Sequence, residues 1–271
     1  MVRTGLDYMN ILMKRIHFGK LKKILSNLII TICLCSFCFF SFKIYNYIKE
    51  EKQQENLNDE IIDVAVKKIQ QSEKEEESNI KNNFPIEVDF EALKNKNEDI
   101  IAWLYSEGTP INYPIVQTTN NDYYLRRLID ETYNQAGTLF IDYRNNKDFN
   151  DFNTIVYGHN MKNDRMFGTL TNYENQNYYN EHKEMFLCTD NKKFKVEIFA
   201  GFTTSSESDI YIYPKTRNTN KKLIDNALKE STFSSDVEVT NEDKILTLST
   251  CSYNFENARY VILGVLKEVK N

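Results

Sequence analysis

Hydrophobic and polar positions divide the 271-residue chain into four stretches of different texture. The most abrupt is Ile24–Phe42 (ILSNLIITICLCSFCFFSF), nineteen residues without a charge, bracketed by Lys23 and Lys43. At ~1.5 Å per residue it makes a helix of roughly 28 Å, about the thickness of a bilayer hydrocarbon core. A buried core helix seldom runs that far without a charge. A cleaved leader would carry a shorter apolar region ending in small residues, whereas this one ends in Phe39, Phe40 and Phe42. The pattern predicts one uncleaved transmembrane helix, with membrane lipid as its partner. Residues 1–23 form a basic head before it, and residues 43–85 a segment rich in Glu, Lys, Gln and Asn. In that segment Leu57, Ile61, Ala65 and Ile69 recur every four residues, a narrow stripe that predicts an at least partly helical, solvated stalk ending at Phe84-Pro85.

From residue 86 to 271 the texture changes to short apolar runs rich in β-branched and aromatic residues. Asp89 is placed to cap a helix continuing through Glu91, Leu93 and Ile100 to Trp103. Strands are predicted at Ile111–Gln117, Thr138–Tyr143, Thr154–Gly158, Phe194–Thr203, Ile245–Cys251 and Tyr260–Val269, each bounded by turn residues. Helical stretches are predicted at Asp122–Ile129, Asn180–Leu187 and Asn220–Ser231. Many short strands with few helical inserts predict a mainly β protein: a closed β-barrel with peripheral helices.

Composition adds two constraints. With 41% hydrophobic residues the chain can bury one sizeable core, and a net charge of −5 gives no sign of nucleic-acid binding. The charge is uneven, however. Residues 1–23 carry Arg3, Lys14, Arg15, Lys20, Lys22 and Lys23 against Asp7 alone, a net of +5, so the remainder sums to −10. The positive-inside rule then puts the head in the cytoplasm and everything after Lys43 outside. Cys33, Cys35 and Cys38 fall in the span, which leaves Cys188 and Cys251 on the outer side. Two cysteines there could simply pair.

Candidate chemistry sits at predicted strand ends. On the outer side of the span the histidines are His159 and His182, the latter expected to be solvated in a polar helical stretch. His159 follows the strand Thr154–Gly158, and Cys251 ends the strand Ile245–Cys251. The chain turns through Ser252–Asn257 and re-enters a strand at Arg259; if the two strands pair as a hairpin, Cys251 and Arg259 face each other across its mouth. A thiolate can attack a carbonyl, an imidazole can exchange the leaving-group proton, and a permanently charged guanidinium can bind the oxyanion. Taken singly, the three are ordinary packed or surface residues. Together, in a chain so poor in Cys and His, they predict an acyl-transfer site.

Tyr157-Gly158-His159-Asn160-Met161, then Met166-Phe167-Gly168, and Leu248-Ser249-Thr250-Cys251 with Arg259 eight residues on, resemble the sortase family. Class B is the nearest, because Trp103-Leu104, Tyr113–Gln117, Asn121–Leu125 and Gly137–Asp142 resemble its segments in order. The resemblance implies an eight-stranded sortase barrel with an N-terminal helical extension and a long helix-bearing connection over Asp209–Asp243. It implies catalysis by Cys251, His159 and Arg259, with no metal or organic cofactor. The implied reaction cleaves a C-terminal sorting signal after Thr through a thioacyl enzyme and joins the surface protein to a peptidoglycan amine. An Asn-Pro-x-Thr-Asn-like or Pro-x-Thr-Gly-like signal is expected. Asn121 and Leu125, four apart on a predicted helix, resemble substrate contacts, as do Ser249 and the pair Tyr211 and Ile212. Alternatives of other kinds are a papain-type cysteine protease acting only as a hydrolase, an inactive tethered binding module, and a pilin-polymerising sortase.

Overall fold

The computed structural model describes residues 3–68, 84–212 and 216–269. Its contacts divide the chain into two compact units, Met1–Lys52 and Gln53–Asn271. A long helix, α1 (Arg3–Ala65), makes up the described part of the first unit and contributes its last turns to the second. Within the first unit the large apolar side chains from Ile24 to Phe42 are exposed. The hydroxyl of Thr31 donates to Asn27 O at 2.9 Å, so this polar group is satisfied inside its own helix. The helix is long and apolar enough to cross a membrane, and its apolar window is unburied, which makes it a candidate span.

The second unit begins at Gln53, well before residue 86, where the change in sequence texture places the start of the domain. Ile61 and Ala65 are buried and Leu57 partly so, in one cluster with Phe84, Ile86, Phe90, Leu93, Ile100 and Trp103. The stripe expected on a solvated stalk is therefore a docking edge. Ile69 and the rest of 69–83 lie outside the described residues. Strand β1 (Val66–Lys68) pairs antiparallel with β2 (Ile86–Val88), forming a small separate sheet.

Helix α2 (Phe90–Lys96) is capped as expected, the Asp89 carboxylate accepting from Ala92 N–H at 2.9 Å. It stops at Asn97, and β3 (Ile100–Tyr105) follows where the sequence predicts more helix. Apolar runs buried on both faces carry no strand alternation, which is why Ile-Ile-Ala-Trp-Leu-Tyr reads as either element. The other strands are β4 (Asn112–Val116), β5 (Leu139–Ile141), β6 (Asn153–Tyr157), β7 (Glu184–Thr189), β8 (Lys193–Ser205), β9 (Ile245–Cys251) and β10 (Ala258–Glu268). β7 corrects the predicted helix Asn180–Leu187. The helix there, α3 (Gln176–Glu181), ends before it, and His182 terminates α3 with its ring stacked on Tyr178 at 4.2 Å, so it is no freely solvated histidine. The expected helix Asp122–Ile129 is a single 3₁₀ turn, Tyr124–Arg126. Helix α4 (Arg217–Glu230) agrees with expectation and starts from a Thr216 capping box.

The eight strands from β3 to β10 close into a barrel in the order β10-β8-β7-β3-β4-β5-β6-β9. Pairing is antiparallel except for β4–β5 and β6–β9. The interior is filled by residues such as Leu104, Ile115, Ile141, Val156, Leu248 and Ile262. The end of α1 and α2 cover one outer flank, and α4 covers another through Ile224 against Phe199, Val261 and Leu263.

A chain beginning at Glu50 should be soluble and fold, because it keeps the docked turns and lacks the apolar span. A chain beginning at residue 86 loses Leu57, Ile61, Ala65 and β1. At ~1.5–3 kcal/mol per buried large aliphatic side chain, it should lose about 3 kcal/mol or more, which corresponds to a Tm drop of roughly 6–12 °C. Thermal unfolding of the two chains measures the difference; equal Tm values would mean that the docked turns add nothing.

Candidate active site

The site is built by two pairings at one end of the barrel. β6 and β9 run parallel with Tyr157 opposite Ser249. Two residues further along each strand come His159 and Cys251, so both emerge at the same edge. The ladder continues past the pair, with Gly158 N–H donating to Ser249 O at 3.1 Å and the Thr250 hydroxyl donating to Gly158 O at 2.9 Å. β9 and β10 then form an antiparallel hairpin in which Cys251 lies directly opposite Arg259, as the sequence predicts. Cross-strand partners point to one face, so three neighbouring strands present an imidazole, a thiol and a guanidinium side by side.

All three line a cleft of about 310 Å³ with Asn121, Leu125, Tyr211 and Ser249. The His159 Nε2 lies 2.7 Å from Leu125 O. A carbonyl can only accept, so Nε2 carries the hydrogen and, in the neutral ring, Nδ1 keeps the lone pair. Burial pushes the His159 pKa below its ordinary 6.5, against the opposing pull of the Leu125 carbonyl, and the charges of Arg126 and Arg259 depress it further. Neutral imidazole therefore prevails at neutral pH. Arg259 is half-buried and donates to Ala258 O at 3.0 Å; among the described residues it forms no ion pair, so the charge remains available to the cleft. Asn160, next to His159, donates from Nδ2 to Cys251 O at 2.8 Å and ties the two strand ends together.

Cys188 and Cys251 are both free thiols, not a disulfide. Cys188 is buried on β7, where desolvation pushes its pKa up to about 12, so it is a packing residue and a poor nucleophile. No group of three or more His, Cys, Asp or Glu side chains among the described residues could hold a metal ion.

The candidate substrate contacts separate into two groups. Asn121, Leu125, Ser249 and Tyr211 all line the cleft. Asn121 and Leu125 do so from a turn and a 3₁₀ element, not the expected helix. Ser249 is buried and shares a 2.8 Å hydrogen bond with the Tyr211 hydroxyl. Ile212 stands apart: it is 63% exposed and borders a neighbouring cavity between β8 and α4. Residues 213–215 of the long connection lie outside the described residues.

Sequence reading missed the support of the cleft wall. Asp142, just past β5, is buried and accepts from Arg144 Nε and Nη2 at 2.7 Å each, from Asn121 Nδ2 at 3.2 Å and from the Tyr157 hydroxyl at 3.1 Å. Burial alone would raise its pKa, but these bonds, Arg144 foremost, outweigh it and hold the carboxyl below the usual range. Arg144 also donates to Tyr211 O at 3.2 Å, and Tyr211 stacks on Tyr157 at 6.2 Å. The signal available in the sequence was an Asp-x-Arg directly after a strand, which a surface turn would show equally well.

A closed barrel bearing a thiol, an imidazole and a guanidinium on adjacent strand ends is the equipment of a cysteine acyl transferase. A family model for the sortase domain matches residues 104–267. Sortase B of Listeria monocytogenes is 32% identical over 252 residues, covering 91% of this chain and 98% of that one. Among solved structures, sortase B from Bacillus anthracis matches with a TM-score of 0.69 and 28% identity, covering 82% of this chain and 100% of that one. The Staphylococcus aureus sortase B–substrate complex matches with a TM-score of 0.63 and 30% identity over 67% of this chain and 85% of that one. The chain belongs to the sortase family, class B, and is a transpeptidase of that type.

Two outcomes follow from this geometry. A Cβ at Gly158 would run into Leu139 and the Phe167 ring, so Gly158→Ala should cost ~1–3 kcal/mol, read as a lower denaturant midpoint. Removing a cation that opposes imidazolium should raise the His159 pKa, so Arg126→Gln should move its NMR titration up toward 6.5. For stability the sign is fixed by the lowered folded value. Between that value and 6.5 the unfolded chain binds the extra proton, so this group makes stability rise with pH across the window and adds no pH dependence above it.

Proposed function

We propose that Cys251 is the nucleophile, His159 the proton-transfer partner and Arg259 the oxyanion stabiliser of a transpeptidase that cleaves a C-terminal sorting signal after Thr. The single observation that carries this reading is the register of three adjacent strands, which brings those side chains together at one cleft. Neutral His159, with Nδ1 free, takes the proton of the thiol, and the thiolate attacks the Thr carbonyl. Arg259, with no carboxylate partner among the described residues, meets the charge that develops on the carbonyl oxygen. Imidazolium then protonates the departing amine, leaving a thioacyl enzyme on Cys251. An incoming amine of peptidoglycan gives its proton back to His159 and releases the joined product.

The sorting signal, Asn-Pro-x-Thr-Asn-like or Pro-x-Thr-Gly-like, lies along the cleft against Leu125, Asn121 and Tyr211. The Staphylococcus aureus relative is known as a sortase B–substrate complex, which supports a substrate of the same class for this chain. In the cell, Ile24–Phe42 spans the membrane with residues 1–23 in the cytoplasm and the barrel facing the wall, as the basic head and the exposed apolar helix support.

Time courses of sorting-peptide cleavage with and without an amine acceptor test the reading. A transpeptidase converts the acyl fragment to the amine-joined product and accelerates with the acceptor; a hydrolase gives the free acid at an unchanged rate. Arg259 has its own test. Loss of one oxyanion donor typically costs ~10²–10³-fold in kcat, and Arg259→Lys should recover little because it replaces a planar fork by a point charge. A change confined to KM would assign Arg259 to substrate binding instead.

A further inference from the structure

The segment from His159 to Gly168 is a tightly wound loop. Phe167 N–H donates to His159 O at 3.0 Å, Asn160 bridges Met166, and Gly168 N–H donates to Arg165 O at 2.8 Å. Its winding needs two non-glycine residues in the left-handed region, Asp164 at φ 61 and Met166 at φ 52. Such conformations persist only where the surroundings hold them.

What holds them is the end of α1. Gln54 is buried, and both ends of its amide are committed to this loop: Nε2 donates to Met166 Sδ at 3.8 Å, and Oε1 accepts from Arg165 Nη1 at 3.3 Å. Glu55, the next residue, forms an ion pair with Arg165. On the other side, Tyr113 OH accepts from Met166 N at 3.3 Å. The loop is clamped at 165–166 and carries His159 at its other end, while Asn160 reaches Cys251 O.

We infer that Gln54, Glu55 and Arg165 are positioning residues: the last turns of α1 latch the 159–168 loop and thereby set His159 and Asn160 against Cys251. The inference rests on the functional reading above and adds a part to it. A half-exposed ion pair contributes little stability by itself. The buried Gln54 amide carries the latch, and Glu55 orients Arg165 toward it. Loosening the loop displaces the imidazole from Leu125 O and from the field of Arg126 and Arg259, the groups that face it.

The experiment uses the full chain in detergent and compares Gln54→Ala, Arg165→Glu, Glu55→Arg and the double charge swap Glu55→Arg/Arg165→Glu. Thioacyl formation in a single turnover should slow about 10- to 100-fold in the single variants, the scale of a misplaced catalytic group, with KM nearly unchanged. The swap should recover part of the rate, because it restores the ion pair but places no donor opposite Gln54 Oε1. The His159 imidazole signal, titrated by NMR without substrate, should move up toward 6.5 in the single variants and move part of the way back in the swap. This second reading stands even if the assigned reaction fails, so failure of the latch and failure of the function are distinguishable. Single variants that lose thermal stability while acylation rate and imidazole titration stay at wild-type values would overturn the proposal, because the contacts would then only stabilise. A swap that fails to restore either readout would overturn the pairing of Glu55 with Arg165.

Discussion

The parallel pairing of β6 with β9 is the constraint on which the site depends. Parallel neighbours cannot be joined by a tight turn, so the chain lays down α3, β7, β8 and α4 before β9 returns beside β6. The detour brings two residues ninety-two positions apart, His159 and Cys251, to equivalent points on adjacent strand ends. A short antiparallel hairpin then adds Arg259 opposite Cys251. Gly158 makes the approach feasible: with no side chain there, Leu139 and Phe167 close in beneath the turn that presents His159.

The electrostatics of the cleft follow from the same economy of groups. A carboxylate beside His159 would raise its pKa, and one beside Arg259 would occupy the guanidinium. The buried carboxylate closest to this wall, Asp142, is neutralised by Arg144 and consumed by Asn121 and Tyr157. It therefore acts as a brace, fixing Asn121 and, through Arg144, the Tyr211 segment. The cleft itself is left with a neutral imidazole, a thiol, hydroxyls and a guanidinium that forms no ion pair among the described residues.

Legibility in the sequence followed how local each signal was. The barrel class, the β9–β10 hairpin and the placement of His159, Cys251 and Arg259 at neighbouring strand ends were readable because strand termini, turn residues and sparse Cys and His are local features. Two elements misread as helix, Ile100–Trp103 and the residues around Glu184–Leu187, lie in strands whose runs lack clean alternation, so periodicity could not separate the choices. The docking of Leu57, Ile61 and Ala65 was invisible for a different reason: a stripe shows that a helix has an apolar edge, not what covers it. The Asp142–Arg144 brace joins residues to Asn121, Tyr157 and Tyr211 across four loops and strands, and such convergence is written in the fold alone.

Covalent capture of the acyl intermediate tests whether Cys251 is the nucleophile. The full chain is mixed with a Thr-containing sorting peptide, quenched before turnover is complete, digested and mapped by mass spectrometry. The acyl fragment ending in Thr is expected as a thioester on Cys251, lost when an amine acceptor is added and absent from Cys251→Ala. The fragment on Cys188, whose buried thiol is held protonated with a pKa of about 12, or cleavage that proceeds in Cys251→Ala, would contradict it.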